Sequence, residues 1–140
     1  MRSALALLFV LSAAVSLAPA PPPPSRPPIA VHPTHVRFGR HPFESNTLRS
    51  FTVSNQSSEA LLITIEQVRV GDDFSPGQIE STCTLGESLL PAGQECEHVV
   101  GFRPSEFFGG HETAEMRVVA RDLQGTELAS QRVRLSGTGF

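Results

Sequence analysis

The chain has 140 residues and contains no tryptophan, no tyrosine and no lysine. Protein-interaction hot spots favour Trp, Tyr and Arg, and sugar-binding surfaces commonly rely on exposed Trp or Tyr faces, so a dedicated sugar platform is disfavoured. All eleven cationic side chains are arginine, and no run of sequence gathers them into a basic stripe. The formal charge of −3, made one unit more negative if Arg2 leaves with a leader, argues against non-specific nucleic-acid binding. No G-x-S-x-G, Walker loop or H-E-x-x-H occurs, so the common signatures of hydrolases, NTPases and zinc proteases are missing. Ser and His are plentiful enough to compose a triad, but only three Asp exist and nothing in the sequence orients them. No catalytic residue and no cofactor is expected.

What the chain does hold is nine phenylalanines, a residue used mainly in cores. Residues 1–18, MRSALALLFVLSAAVSLA, place one positive charge before an apolar run and then small residues. This is the pattern of a secretory signal peptide, and the run is short for a membrane span, which needs about 20 residues. A buried N-terminal helix is the alternative. Cleavage after Ala20 follows an A-x-A pattern but puts Pro21 next to the cut; cleavage after Ser16 avoids this. No cysteine near the leader's end provides a lipid anchor, and the chain, ending at Phe140, is expected to carry no C-terminal anchor. Residues 19–33 read as a Pro-rich linker. Proline fixes φ and lacks an amide donor, so the APAPPPPSRPP run at 18–28 is expected to be an extended spacer or, less simply, a docking motif. The expected location is secreted or periplasmic, with no membrane span once the leader is removed.

From residue 34 to 140 apolar residues alternate with polar ones between Gly, Pro, Asn and Ser punctuation, which is strand periodicity. Strands are expected at His35–Gly39, Leu48–Asn55, Leu61–Val70, Cys96–Phe102, Ala114–Ala120 and Ser130–Ser136. In the longest, Leu61, Ile63 and Ile65 share a face while Val68 and Val70 fall out of phase, and a bulge or sheet switch near Glu66-Gln67 would repair the mismatch. No segment after the leader has a helical period. The expected fold class is all-β, an immunoglobulin-like β-sandwich of about seven strands with one disulfide.

Cys83 and Cys96 are the only cysteines. The leader sends them to an oxidising compartment, and Pro91-Ala92-Gly93 can turn the chain between them, so a structural disulfide is expected. Redox pairs usually have C-x-x-C spacing, and two cysteines alone do not make a zinc site. His32, His35 and His41 cluster at the domain entrance, but Pro33 and Pro42 interrupt them and no fourth ligand has recognisable spacing, so no metal site is expected. Asp72-Asp73 follows Gly71 without the ligand ladder of a calcium loop and reads as a solvated turn. Glu95 and Glu97 share a strand face that solvent explains. Asn55-Gln56-Ser57 is a glycosylation sequon, relevant only in a eukaryotic source.

The ordered set Val36-Arg37-Phe38-Gly39, FTVSN at 51–55, LLITI at 61–65, GDDF at 71–74, Cys83, LPAGQEC at 90–96, VVGFRP at 99–104 and RLSGTG at 134–139 resembles immunoglobulin-like domains of the abnormal-spindle/hydin (ASH) type. The likeness is greatest to the bacterial secreted versions, including choice-of-anchor D repeats, and covers about residues 34–140. It implies a seven-stranded sandwich used as a building block or interaction module with no chemistry of its own. Eukaryotic relatives resemble cilium and centrosome scaffolds, a role at odds with a secretory leader. The expected partner is an unidentified envelope or extracellular protein, bound through sheet edges or end loops.

Three departures from that pattern matter. His98 stands where the pattern has an aliphatic residue; facing inward, it needs a hydrogen-bond partner and a lowered pKa. Phe107-Phe108, before Gly109-Gly110, replace small residues. They form an exposed patch for a partner, or they tuck over the open end of the sandwich. Third, a single module is present where secreted relatives often carry several.

Overall fold

Alternation of apolar and polar side chains gives each segment one face to bury, and two sheets meeting face to face satisfy all of them at once. A computed structural model describes residues 13–20, 26–77 and 81–140; residues 1–12 of the leader expected at 1–18 and residues 21–25 of the linker expected at 19–33 lie outside the described residues. The elements are β1 (Ile29–His32), β2 (His35–His41), β3 (Thr47–Asn55), β4 (Leu61–Arg69), β5 (Phe74–Pro76), β6 (Gly86–Leu90), β7 (Glu95–Phe102), β8 (Gly110–Arg121) and β9 (Glu127–Gly139). A four-stranded sheet has the order β1-β3-β7-β5, and a five-stranded sheet the order β2-β9-β8-β4-β6. Every ladder is antiparallel except β2 with β9. No helix among the described residues is long and apolar enough to cross a membrane.

The all-β sandwich with one disulfide is as expected, with nine strands instead of about seven. The extra elements are short and lie at sheet edges. β1 falls inside the expected linker: Pro28 and Pro33 bracket it, yet Ile29 is buried and Ile29–His32 pair with Asn55–Thr52. The Pro-rich stretch therefore ends at 28, and the folded domain begins before residue 34. Edge strands pair on one side only and tolerate proline, which is why composition hides them. β5 is a three-residue edge containing Pro76, and β6 shows little alternation because its outer side faces solvent.

The core is filled from both sheets by Phe51, Val53, Val100 and Phe102 on one side and Ile63, Ile65, Val118, Val133 and Leu135 on the other. Fully burying one such side chain stabilises by about 1.5–3 kcal/mol. Phe38, Phe74 and Phe102 form a tilted aromatic cluster that joins the two sheets, with ring centroids 4.9–5.6 Å apart. Phe38 reaches it because β2 is bulged between Arg37 and Gly39, where Gly39 takes φ +80°, a conformation that costs a side-chain-bearing residue energy. The expected irregularity in β4 is present as a register shift between Gln67 and Arg69. It does not turn the valines inward: Val68 and Val70 are exposed, because β4 there runs past the edge of the core.

Cys83 and Cys96 are bonded, with Cα atoms 5.3 Å apart. Cys96 belongs to β7 and Cys83 to the segment that continues past β5 along the same edge. Thr82 and Cys83 both donate backbone N–H groups to the Glu97 carbonyl, at 2.8 and 3.0 Å. Closing a loop of this length contributes about 3 kcal/mol in the chain-entropy account. The staple also completes His98, which is fully buried against Phe51. Its Nδ1–H donates to the Cys83 carbonyl at 2.6 Å, and burial, only partly offset by that bond, holds its pKa below the ordinary value. His98 thus fills the core as a neutral imidazole. Its Nε2 has no partner among the described residues.

Candidate functional site

Four of the nine phenylalanines lie outside the core at one end of the sandwich. This end is built by the turn after β2 (Pro42–Asn46), the turn before β5 (Val70–Asp73), the β7–β8 connection (Arg103–Gly109) and the final residue. Phe107 is 85% exposed, Phe108 54%, Phe140 55% and Phe43 37%. The expectation that Phe107 and Phe108 tuck over the open end is overturned, because that place is taken. Phe43 lies against Gly109 and Gly139: a Cβ added at either would come within 2.8 Å of its ring carbons. Gly109, directly after Phe107-Phe108, and Gly139 therefore give bed space to a third phenylalanine, and the two loop residues are left in solvent.

Backbone bonds fix these loops to one another. Phe43 N–H donates to the Phe140 carbonyl at 3.0 Å, Phe140 N–H to the His41 carbonyl at 3.1 Å, and Glu44 N–H to the Pro104 carbonyl at 2.8 Å. Glu44 holds φ at 62°, rare for a residue with a side chain, and its carboxylate meets Arg103 at 2.6 Å. Both side chains are more than half exposed, so this pair contributes little. Arg40 stacks over the Phe140 ring at 5.0 Å.

Asp73, expected in a solvated turn, is buried and ties the loops together. Its carbonyl accepts from Arg103 N–H at 2.9 Å, and its Oδ2 accepts from Ser105 N–H at 3.1 Å. Its own N–H donates to Glu112 Oε2 at 3.3 Å. Burial, and next the negative charge of Asp73, push the Glu112 carboxyl above its ordinary range. A shallow groove beside Phe108 is lined by Asp72, Asp73, Glu44, Arg103 and Ser105. The platform is thus cross-tied by hydrogen bonds, apolar at its summit and acidic at one flank.

The remaining sequence-flagged residues are dispersed. His35 bonds Ser136 Oγ through Nε2 at 2.8 Å, while His41 bonds the Phe38 carbonyl and Thr47; His32 is exposed at the end of β1. Among the described residues no group of three or more His, Cys, Asp or Glu converges to hold a metal. Glu95 and Glu97 lie exposed on the outer face of β7. Asn55 is buried, its Nδ2 donating to the Glu59 and Leu90 carbonyls at 2.8 and 2.9 Å, so the sequon nitrogen is not accessible in the folded domain. Sequence reasoning missed Phe43 and Phe140, and took Asp73 for a solvated residue. The only available signal was a phenylalanine inside a turn and another after a Gly-Thr-Gly run, each ambiguous alone.

The sequence matches no family model and no curated protein. Among solved structures, the ASH/PapD-like domain 7 of human CEP192 superposes with a TM-score of 0.67 at 13% identity, over 94% of this chain and 96% of that one. The YadV chaperone gives 0.58 at 13% identity, over 80% of this chain and 52% of that one. The Vibrio cholerae VesB protease gives 0.57 at 18% identity, over 79% of this chain but only 32% of that one. The fold is therefore an ASH/PapD-like, immunoglobulin-like β-sandwich. At these identities the likenesses show the fold alone, and fold does not carry activity.

Proposed function

We propose that this chain is a non-catalytic, extracytoplasmic interaction module that engages a protein partner through its phenylalanine-bearing end. The observation that carries the reading is the pair Phe107-Phe108, held in solvent on a glycine-bedded, hydrogen-bonded platform instead of being folded over the core. Large apolar side chains exposed on rigid loops mark interaction sites, and burying two rings on a partner supplies the kind of anchor that dominates binding energy. The signal-peptide pattern and the disulfide support export, and the motif order supports kinship with secreted choice-of-anchor D modules. The likeness to the YadV chaperone favours, as a second reading, a chaperone-like or envelope-assembly role in the same compartment.

The experiment is affinity capture from the native cell envelope, with the intact domain and its Phe107→Ser/Phe108→Ser variant as parallel baits. A stoichiometric partner lost from the variant, with an unchanged unfolding midpoint, supports the reading. Several unrelated clients favour the chaperone-like role. A partner retained by the variant places the binding surface elsewhere.

A further inference from the structure

Away from that end, the tertiary structure collects positive charge along one side seam of a negatively charged chain. β2 forms the edge of its sheet. On the facing sheet, β1 pairs with β3 only as far as His32 with Thr52, so Thr47–Phe51 has no strand on that side among the described residues. The two uncovered edges form the walls of a groove lined by His35, Arg37, Leu48 and Arg49. Arg134 stands beside His35 in the β2–β9 register. Arg37, Arg49 and Arg134 are exposed and make no ion pair or side-chain hydrogen bond among the described residues, whereas Arg103, Arg117 and Arg132 all have carboxylate partners. Desolvation, and then the charges of Arg37 and Arg134, hold His35 below its ordinary pKa; Glu115 lies across the β8–β9 ladder from Arg134, and no carboxylate among the described residues lines the groove that holds Arg37 and Arg49.

Two chemistries coincide here. An unpaired strand edge presents N–H and C=O groups in the spacing another strand needs. Guanidinium forks bind carboxylates in a planar, bidentate manner. We infer that this seam takes up an extended acidic segment of a partner protein, added as a β-strand along Thr47–Phe51, with its carboxylates on Arg37 and Arg49 and an apolar residue over exposed Leu48. The site is independent of the phenylalanine-bearing end. Charged edges also serve to block pairing between copies, and the test separates the two roles.

The probe is a fluorescein-labelled peptide alternating Val and Glu, about six residues long, titrated into the full chain and followed by anisotropy. Controls are the Val/Lys counterpart, a version N-methylated at alternate backbone amides, and dextran sulfate as competitor. The Glu peptide is expected to bind at least about tenfold more tightly than either peptide control. Arg37→Glu/Arg49→Glu is expected to lose that binding with an unchanged unfolding midpoint. Equal binding of the N-methylated peptide, or displacement by dextran sulfate at matched charge, would overturn the strand-addition site in favour of a general polyanion surface. No binding by the native chain, together with self-association of the charge-reversed variant, would make the arginines an edge guard only.

Discussion

The two ends of the sandwich solve the same problem, closing loops between strands, in opposite ways. At one end a buried asparagine and an aspartate turn use up the polar groups. Asn55 accepts from Ser57 N–H and Oγ–H through its Oδ1 and donates to two carbonyls. Asp122 accepts from the backbone of Gln124 and Thr126. At the other end the backbone is tied as firmly, but its apex carries phenylalanines in water. A domain selected for stability alone gains nothing by exposing those rings. The contrast is one of chemistry: side-chain hydrogen bonds close the first end, and exposed phenylalanine rings crown the second, where the proposed function puts the partner.

The largest expected effect lies at the closed end. Asn55→Ala removes the side chain's hydrogen bonds and strands the buried Leu90 carbonyl, and should cost about 2–3 kcal/mol in denaturant unfolding. A smaller loss would mean that water replaces the amide and that this end is less closed than described. Next, Gly139→Ala pushes a methyl into Phe43 and Pro104 and should cost about 1–3 kcal/mol. It should also shift the tip loops, visible as chemical-shift changes at Phe107 and Phe108.

Stability against pH gives a third, smaller contrast. The His98 pKa is lowered in the fold, so below its ordinary 6.5 the unfolded chain binds more protons. Its contribution is therefore complete above that pH and declines as pH falls through and below it. Glu112 at the exposed end is raised above its ordinary 4.5, so the folded chain binds more protons there, and stability declines as pH rises through the folded value. His98→Asn, which keeps a donor for Cys83, should flatten the acid-side decline. Glu112→Gln should remove the opposite slope. Denaturant midpoints between pH 4 and 8 would reveal both, and unchanged profiles would remove the titration argument. Smallest in stability is Phe107→Ser/Phe108→Ser, expected to stay within about 0.5 kcal/mol of the parent. A larger loss would return the two rings to the core and erase the contrast between the ends.

Legibility varied with how local the cause was. Phe51, Val53, Ile63, Ile65, Val133 and Leu135 could be placed inside because period-two alternation is a property of the strand itself. His98 could be given a partner and a lowered pKa from burial alone, but the partner's identity depended on where the disulfide set the Cys83 carbonyl. Asp73 was misjudged because a Gly-Asp-Asp turn looks solvated until the Arg103–Gly109 loop lies on it. β1 was hidden because proline-rich composition masked four residues that pair only at an edge.

The amino-acid sequence by itself determined the all-β class, most strand positions, the cysteine pair and the residues that fill the core, since alternation, turn chemistry and burial are encoded locally. Only the tertiary structure decided which end of the sandwich stays open. Phe43 sits on Gly109 and Gly139, residues 66 and 96 positions away in the chain, and so displaces Phe107-Phe108 into solvent. The seam of arginines arose in the same way. Arg37, Arg49 and Arg134 form no stripe in the sequence; strand order brings Arg37 and Arg49 to one groove, and the β2–β9 register sets Arg134 beside His35 at its margin.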